Sequence, residues 1–340
     1  MSTAKKVIID SDGGFDDYMS IGYLLQNPDI EVVAICLTGC GTKHLNHGVT
    51  CVSNIITMFN PDRWQLPILK GPTAPLTSGD PFIAALLDVP PCVYNIDFPE
   101  ASSFFNIQNA QPWLTDFFLN SAGPVSVLSI GGATNLGTLF NSAKTHPALD
   151  TAIRAKLDRI VMMGGNLTPQ YVTSGGTEII PSLIGASKVA GWNIFIDPPG
   201  AELVFNFGVP VTFIGLNATP VPPLSSSFIS QMNQLNTGQA DFVAQVFNYP
   251  NTSDGAGTVL SMWDPLAACA LANPSVLTTE PYHVILQHEP PLPAELDELG
   301  AEIILPPVPL IDGSHGALID VATSANNDAV YAEYLRVFAL

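Results

Sequence analysis

Asp10, Asp12, Asp16 and Asp17 stand close together in the stretch Val7-Ile8-Ile9-Asp10-Ser11-Asp12-Gly13-Gly14-Phe15-Asp16-Asp17. The β-branched run before them reads as a buried strand, the glycine pair as a tight turn, and Asp17 to Leu25 as the start of an amphipathic helix. Four carboxylates then crowd the carboxyl end of one strand. Two unit charges about 4 Å apart repel by about 4 kcal/mol at an effective dielectric of about 20, and no Lys or Arg occurs between Lys6 and Lys43. A capped helix start has use for one or two such acids, not four. The spacing points to a bound cation. With carboxylates on offer and no imidazole or thiolate pair nearby, Ca²⁺ or Mg²⁺ is favoured over zinc.

The elements that must position these acids alternate along the chain. Glu31–Thr38 reads as a strand, followed by Gly39-Cys40-Gly41-Thr42 and a helix to Met58. Pro67–Gly71 is a short strand, and a proline-rich loop runs from Pro72 to Gln111. A helix over Pro112–Ala122 precedes a strand over Val125–Ile130, and Asp158–Met163 is a strand ending in Gly164-Gly165. Asn193–Pro198 reads as a further strand, followed by a helix to Phe205, a strand over Val209–Ile214, one long helix from Ser225 to Phe247 and a loop over Asn248–Gly257. Leu266–Ala272 is helical, strands fall near Val284 and Ile303, and the helix Asn327–Phe338 closes the chain. Near-continuous apolar strands alternating with helices predict an α/β fold: an open, mainly parallel sheet with helices on both faces and the site at the strands' carboxyl ends. Asp12, Ile130 and Gly164 are then expected at one crevice. Nothing in the composition divides the chain, so one domain over 1–340 is expected.

Of 340 residues, 30 are acidic and 11 are Lys or Arg, a formal net charge of −19. That argues against a broad nucleic-acid surface and against docking on anionic lipid. The five cysteines have no metal spacing and are expected as free, mostly buried thiols. Met1–Lys6 runs straight into the first strand, leaving no room for a signal peptide, and no apolar run reaches membrane-spanning length, so a cytoplasmic protein is expected. The six histidines show no ligand or triad spacing, the serines no nucleophile elbow, and the nucleotide-binding glycine fingerprint is absent.

Two families open in this manner. Asp10-Ser11-Asp12-Gly13 resembles the start of the haloacid-dehalogenase-like phosphatases, with Asp10 as nucleophile, but those carry Thr or Val where this chain has Gly14 and do not ask for the Asp-Asp pair. The full pattern Asp-x-Asp-x-x-x-Asp-Asp is similar to the signature of the nucleoside hydrolase family, met without a gap by Asp10, Asp12, Asp16 and Asp17. Three further stretches resemble that family in its own order: Ile160-Val161-Met162-Met163-Gly164-Gly165, Trp192-Asn193-Ile194-Phe195-Ile196-Asp197-Pro198 and Trp263-Asp264-Pro265-Leu266-Ala267-Ala268. The resemblance extends over most of the chain. It implies a calcium ion held by Asp12, Asp17, Asp264 and the carbonyl of Ile130, which also holds the attacking water and the ribose 2′- and 3′-hydroxyls. Asp12 is then the general base, Asp16 grips the sugar diol, Asn193 donates to its 3′ side and Asp10 supports the loop from behind. Taken alone, Asp264 also reads as a plain N-cap before a proline in the first helical turn. Trp263 reads as a core aromatic or, by the resemblance, as a face stacked on the base, which favours purine nucleosides. The implied reaction is hydrolysis of the N-glycosidic bond of a nucleoside, and the implied assembly a homodimer or homotetramer.

The pattern also breaks. Where the family has Glu before the aromatic-Asn pair, this chain has Gly191, and no Asn occurs between Asn166 and Asn193, so both readers of the 5′-hydroxyl are gone. Three explanations compete. Glu178 replaces the lost carboxylate from the intervening segment; the substrate lacks an ordinary 5′-hydroxyl and meets an apolar pocket from Ile179, Ile180, Leu183 or Ile184; or the chain is a non-hydrolytic enzyme or a sugar- or nucleoside-binding protein that reuses the cation site. The second is favoured. Gly41 stands where some relatives place Asp or Asn near the metal, with Thr42 adjoining it.

Overall fold

The computed structural model describes residues 4–76, 96, 101, 105–167, 190–219, 223–253, 261–287, 308–312 and 314–340. In chain order the elements are β1 (Lys5–Ser11), α1 (Phe15–Gln26), β2 (Ile30–Leu37), α2 (Leu45–Phe59), β3 (Ile68–Lys70), β4 (Ile107–Asn109), α3 (Ala110–Asn120), β5 (Val125–Ser129), α4 (Thr134–Ala143), α5 (Pro147–Lys156) and β6 (Leu157–Met163). There follow α6 (Trp192–Ile196), α7 (Pro198–Asn206), β7 (Val211–Ile214), α8 (Ser226–Gln234), α9 (Gly238–Ser253), α10 (Trp263–Ala272), β8 (Leu277–Gln287), β9 (Val308–Asp312), β10 (Ala317–Ala325) and α11 (Asn327–Phe338).

The strands form one sheet in the order β4-β3-β2-β1-β5-β6-β7-β10-β8-β9. All pairs from β4 across to β10 are parallel, and β8 and β9 add an antiparallel edge. From β1 the chain moves outward one way through β2, β3 and β4, then returns to the other side of β1 with β5 and moves the opposite way. The carboxyl ends of β1 and β5 are therefore the topological switch point, where open sheets of this kind bind their ligands.

Alternation along β1 explains the two-sided burial. Val7 and Ile9 pack into one apolar layer with α1, α2 and α10, while Ile8 points into the other with α3, α4, α5 and α7. A strand buried on both faces must be apolar throughout, as this one is until Asp10. In α1 every residue from Asp17 to Leu25 is buried, and in α10 every residue from Asp264 to Leu271. These two helices pack against each other, the small side chains of Ala267, Ala268 and Cys269 letting them come close. Both begin at the carboxyl end of the sheet. Their packing thus brings two first-turn acids, Asp17 and Asp264, to one place.

Several elements differ from the sequence reading. Asn193–Pro198 is not a strand: Trp192–Ile196 is a short helix, because Gly191 turns the chain at φ +80° and Asp197 caps the next helix by accepting from Gly200 N–H. The single helix Ser225–Phe247 is two, broken where Asn236 adopts φ +53° and Thr237 Oγ1 accepts from Ala240 N–H. The second of them runs to Ser253, into the expected loop. β4 and the first turn of α3 lie inside the expected proline-rich loop, and β9 and β10 were not foreseen. The strand expected near Ile303 lies outside the described residues. Cys36, Cys40 and Cys269 are free and buried as expected, but Cys51 is disulfide-bonded. Among the described residues no helix is long and apolar enough to cross a membrane.

Candidate active site

The loop after β1 is held together by the acids it carries. Asp17 Oδ1 accepts from Ser11 Oγ at 2.5 Å and from Asp12 N–H at 3.1 Å, and its Oδ2 accepts from Gly14 N–H at 3.1 Å. Asp17 thus caps the helix it belongs to while facing the other carboxyls. Asp10, at the end of β1, is 1% exposed; its Oδ1 accepts from Asn135 Nδ2 at 2.8 Å, which ties the loop to the first turn of α4. Its Oδ2 has no hydrogen-bond partner.

Carboxylate oxygens of Asp16, Asp17 and Asp264 all lie within 4.8 Å of one another. Ligands about 2.4 Å from one calcium ion are at most about 4.8 Å apart, so the three are spaced as a common hard cation requires. Asp264 is the second residue of α10, not its cap: Met262 takes the cap position, and its carbonyl accepts from Leu266 N–H. The side chain of Asp264 is therefore left to the cluster. Burial first, then the charges of the neighbouring acids, raise every one of these carboxyls. Asp16 is pushed up to about 7, by burial and then by Asp12, and Asp17 and Asp264 go well above the usual carboxylate range. Asp10 is pushed up to about 7, chiefly by burial, with the Asn135 bond pulling it back. The positive ends of α1 and α10 also face this place, which favours negative charge there. The donor set fits a divalent cation with a taste for oxygen.

The expected ligand set joined Asp12, not Asp16, to Asp17 and Asp264; in the structure Asp16 completes the close trio and Asp12, 2% exposed, stands beside it. Its Oδ2 accepts from Thr42 N–H at 3.2 Å, Thr42 Oγ1 at 3.1 Å and Trp192 Nε1 at 2.9 Å. Burial raises its carboxyl, and the Trp192 and Thr42 bonds lower it. The Thr42 loop comes this close only because Gly41 carries no side chain: at φ +122° a Cβ there would sit 2.2 Å from Asp12 Oδ2.

Ile130 follows β5, and its N–H donates to the Asp10 carbonyl. Its own carbonyl accepts from Asn193 Nδ2 at 3.0 Å, and the same amide donates to the Met163 carbonyl at 3.0 Å. Asn193, expected as a donor to the 3′ side of the sugar, instead spends its amide N–H groups in clipping the ends of β5 and β6 together, which leaves Oδ1 as the atom that can meet a substrate. The expected meeting of Asp12, Ile130 and Gly164 occurs: Gly164 packs on the Asn193 side chain, and Gly131 against the Asp12 backbone. Trp263 is half-buried in the first turn of α10, beside Asp264. Glu178, Ile179, Ile180, Leu183 and Ile184 lie outside the described residues.

Four contributors escaped sequence reasoning as partners: Ser11, Asn135, Trp192 and Lys43. Lys43 is 3% exposed, its N–H donates to the Asp12 carbonyl, and its stem packs over Gly13. Its place directly after Thr42 was the one available signal.

The inosine-uridine preferring nucleoside hydrolase family matches over residues 7–331. Similar curated proteins include a probable uridine nucleosidase 2 of Oryza sativa subsp. japonica, 26% identical over 81% of this chain and 76% of that protein. A pyrimidine-specific ribonucleoside hydrolase of Salmonella paratyphi B is 28% identical over 81% of this chain and 82% of its own. In fold, the chain is similar to the purine-preferring ribonucleoside hydrolase from Gardnerella vaginalis, with a TM-score of 0.73 at 22% identity over 98% of each chain. With the acid signature, the switch-point crevice and this match in agreement, the chain belongs to the inosine-uridine preferring nucleoside hydrolase family, enzymes that cleave N-glycosyl bonds.

Proposed function

We propose that this chain hydrolyses the N-glycosidic bond of a purine ribonucleoside, one altered at its 5′ position, with calcium held in the acidic crevice. The observation that carries the cation is the trio of half-buried Asp16 with buried Asp17 and Asp264, their carboxyls raised by burial and then by mutual repulsion. Asp12 and the Ile130 carbonyl, which keeps a second lone pair beyond its Asn193 bond, complete the proposed donors. When bound, the cation supplies Lewis-acid polarisation and a lower pKa for the attacking water.

The residues do the rest. Water's oxygen bonds to the anomeric carbon, the C–N bond breaks with its electron pair leaving on the base, and the water's proton passes to Asp12. Asp16, at the rim of the crevice, takes the sugar diol; Asn193, by its free Oδ1, takes the 3′-hydroxyl.

For the base, the support is the half-buried indole of Trp263, next in sequence to Asp264 and partly packed on the core. For the 5′ end it is Gly191. At φ +80°, a Cβ there would lie 2.5–2.7 Å from the Gly165 backbone, so this backbone has no place for a side chain. Beside it, the partly buried rings of Trp192 and Phe195 pack on Cys40 and Ile196, an apolar neighbourhood. A homodimer or homotetramer belongs to the same reading. So does a cytoplasmic setting, which requires the Cys51 disulfide to survive where such bonds are rare.

The test is calcium-dependent base release from inosine, adenosine, guanosine, uridine and their 5′-deoxy counterparts. Preference for 5′-deoxy purines is expected. Equal turnover of the ordinary compounds removes the 5′ part, and preference for uridine removes the purine part. Calcium binding with no turnover at all favours the repurposed site.

A further inference from the structure

Asp12 is held from two sides. Its Oδ2 accepts three donors, two from Thr42 and one from the Trp192 indole, and its carboxyl also meets that of Asp17. The terminal torsion of an aspartate is broad and roughly two-fold, so an unheld Asp12 would present either oxygen. Thr42 belongs to the loop after β2 and Trp192 to the first position of α6, so the grips approach from separate segments.

The second grip is built with some care. Gly191 at φ +80° sets the direction of the chain, and the indole packs with Phe195, at 5.9 Å between ring centroids, and with Cys40 and Ile196. A Phe would fill that cluster as well. What only the indole adds is an N–H, a donor with no acceptor capacity, which holds a carboxylate oxygen without taking a proton from it.

We propose that Trp192 is a positioning residue: with Thr42 it fixes Asp12 by Oδ2 and so sets how the carboxylate is turned toward the attacking water. This rests on Asp12 as the general base. The proton released as water joins the anomeric carbon then passes to a carboxylate whose orientation is set by the three donors on its Oδ2. Trp192 accordingly contributes to turnover and not to substrate binding.

Two replacements separate shape from donor. Trp192→Phe keeps a ring in the cluster, and Trp192→3-benzothienylalanine keeps the bicyclic outline with sulfur in place of the N–H. Both are expected to lower kcat about ten- to a hundredfold, the scale of a misplaced reacting group, with KM within about twofold of wild type, the pattern of an interaction made in the transition state. An independent readout is the ¹⁵N indole signal of Trp192, assigned by its absence in Trp192→Phe. In chelator-treated protein, Asp12→Ala is expected to shift that signal away from its hydrogen-bonded position. A signal that stays put on Asp12→Ala, or a donor-free analogue whose kcat matches wild type, overturns the proposal. A wild-type chain that releases no base overturns the functional reading alone, and the indole signal then still decides whether the grip exists.

Discussion

Removing the divalent cation should make the protein's stability fall with rising pH. The oxygens of Asp16, Asp17 and Asp264 lie within 4.8 Å of one another, so each ionised pair repels by about 3 kcal/mol at an effective dielectric of about 20. Three such pairs approach the whole stability of an ordinary domain, about 5–15 kcal/mol. Without a cation the site must keep protons, as its raised carboxyls indicate. A carboxyl whose folded pKa lies above its unfolded value binds more protons in the folded state throughout the window between the two, and there stability drops as pH rises. For Asp10 and Asp16 that window runs from 3.8 to about 7. Chelated wild type should therefore unfold at lower urea at pH 8 than at pH 5.5. Asp264→Asn removes two of the three repulsive pairs, about 6 kcal/mol as an upper bound at full ionisation. Since protons already relieve part of it, a gain of about 2–4 kcal/mol over chelated wild type at pH 8 is expected. Calcium should reverse the order, because a ligand at a hundred times its Kd adds about 2.7 kcal/mol to the protein that binds it. Urea titrations with chelator and with calcium, at both pH values, read all four states. Chelated wild type equally stable at the two pH values, or chelated Asp264→Asn less stable at pH 8, would refute the reasoning.

Three further outcomes follow from single contacts. Asp12→Ala should cut base release by about 10²- to 10⁴-fold, the usual worth of a general base, while the far-ultraviolet circular dichroism stays that of wild type. Gly191→Ala should cost about 1–3 kcal/mol in urea titration, since it puts a Cβ against the Gly165 backbone at a positive φ; an unchanged midpoint would mean that the turn is not strained by a side chain. Asn135→Ala strips the donor from buried Asp10 Oδ1 and should cost about 1–3 kcal/mol in the calcium-loaded protein, read as a lowered melting temperature.

What could be read from the sequence was what local chemistry decides alone. The run Val7-Ile8-Ile9 could only be a strand buried on both faces, and the acids after it could not all be caps. The helix Asn327–Phe338 falls where it was expected, and in the structure Asn326 caps it by accepting from Ala329 N–H. Errors fell where a tertiary contact outweighs periodicity. Ile194-Phe195-Ile196 has the composition of a strand, yet the turn at Gly191 and the cap at Asp197 leave room for one helical turn. The break at Asn236-Thr237-Gly238 did carry a turn signal, an Asn and a Gly flanking a capping Thr. The Trp192–Asp12 bond had no such signal, because the partners are 180 residues apart and nothing in an aromatic-Asn pair says where an indole N–H will point. Cys51 was misread since an odd cysteine count cannot say which thiols pair.

The most direct measurement is base release by chelator-stripped protein as calcium is returned, alongside the number of calcium ions bound per chain. One ion bound with activity rising in step, and both lost in Asp264→Asn, is the expected result. Full base release in the stripped protein, or calcium binding that survives Asp264→Asn unchanged, would contradict a cation-assisted glycosidase built on these acids.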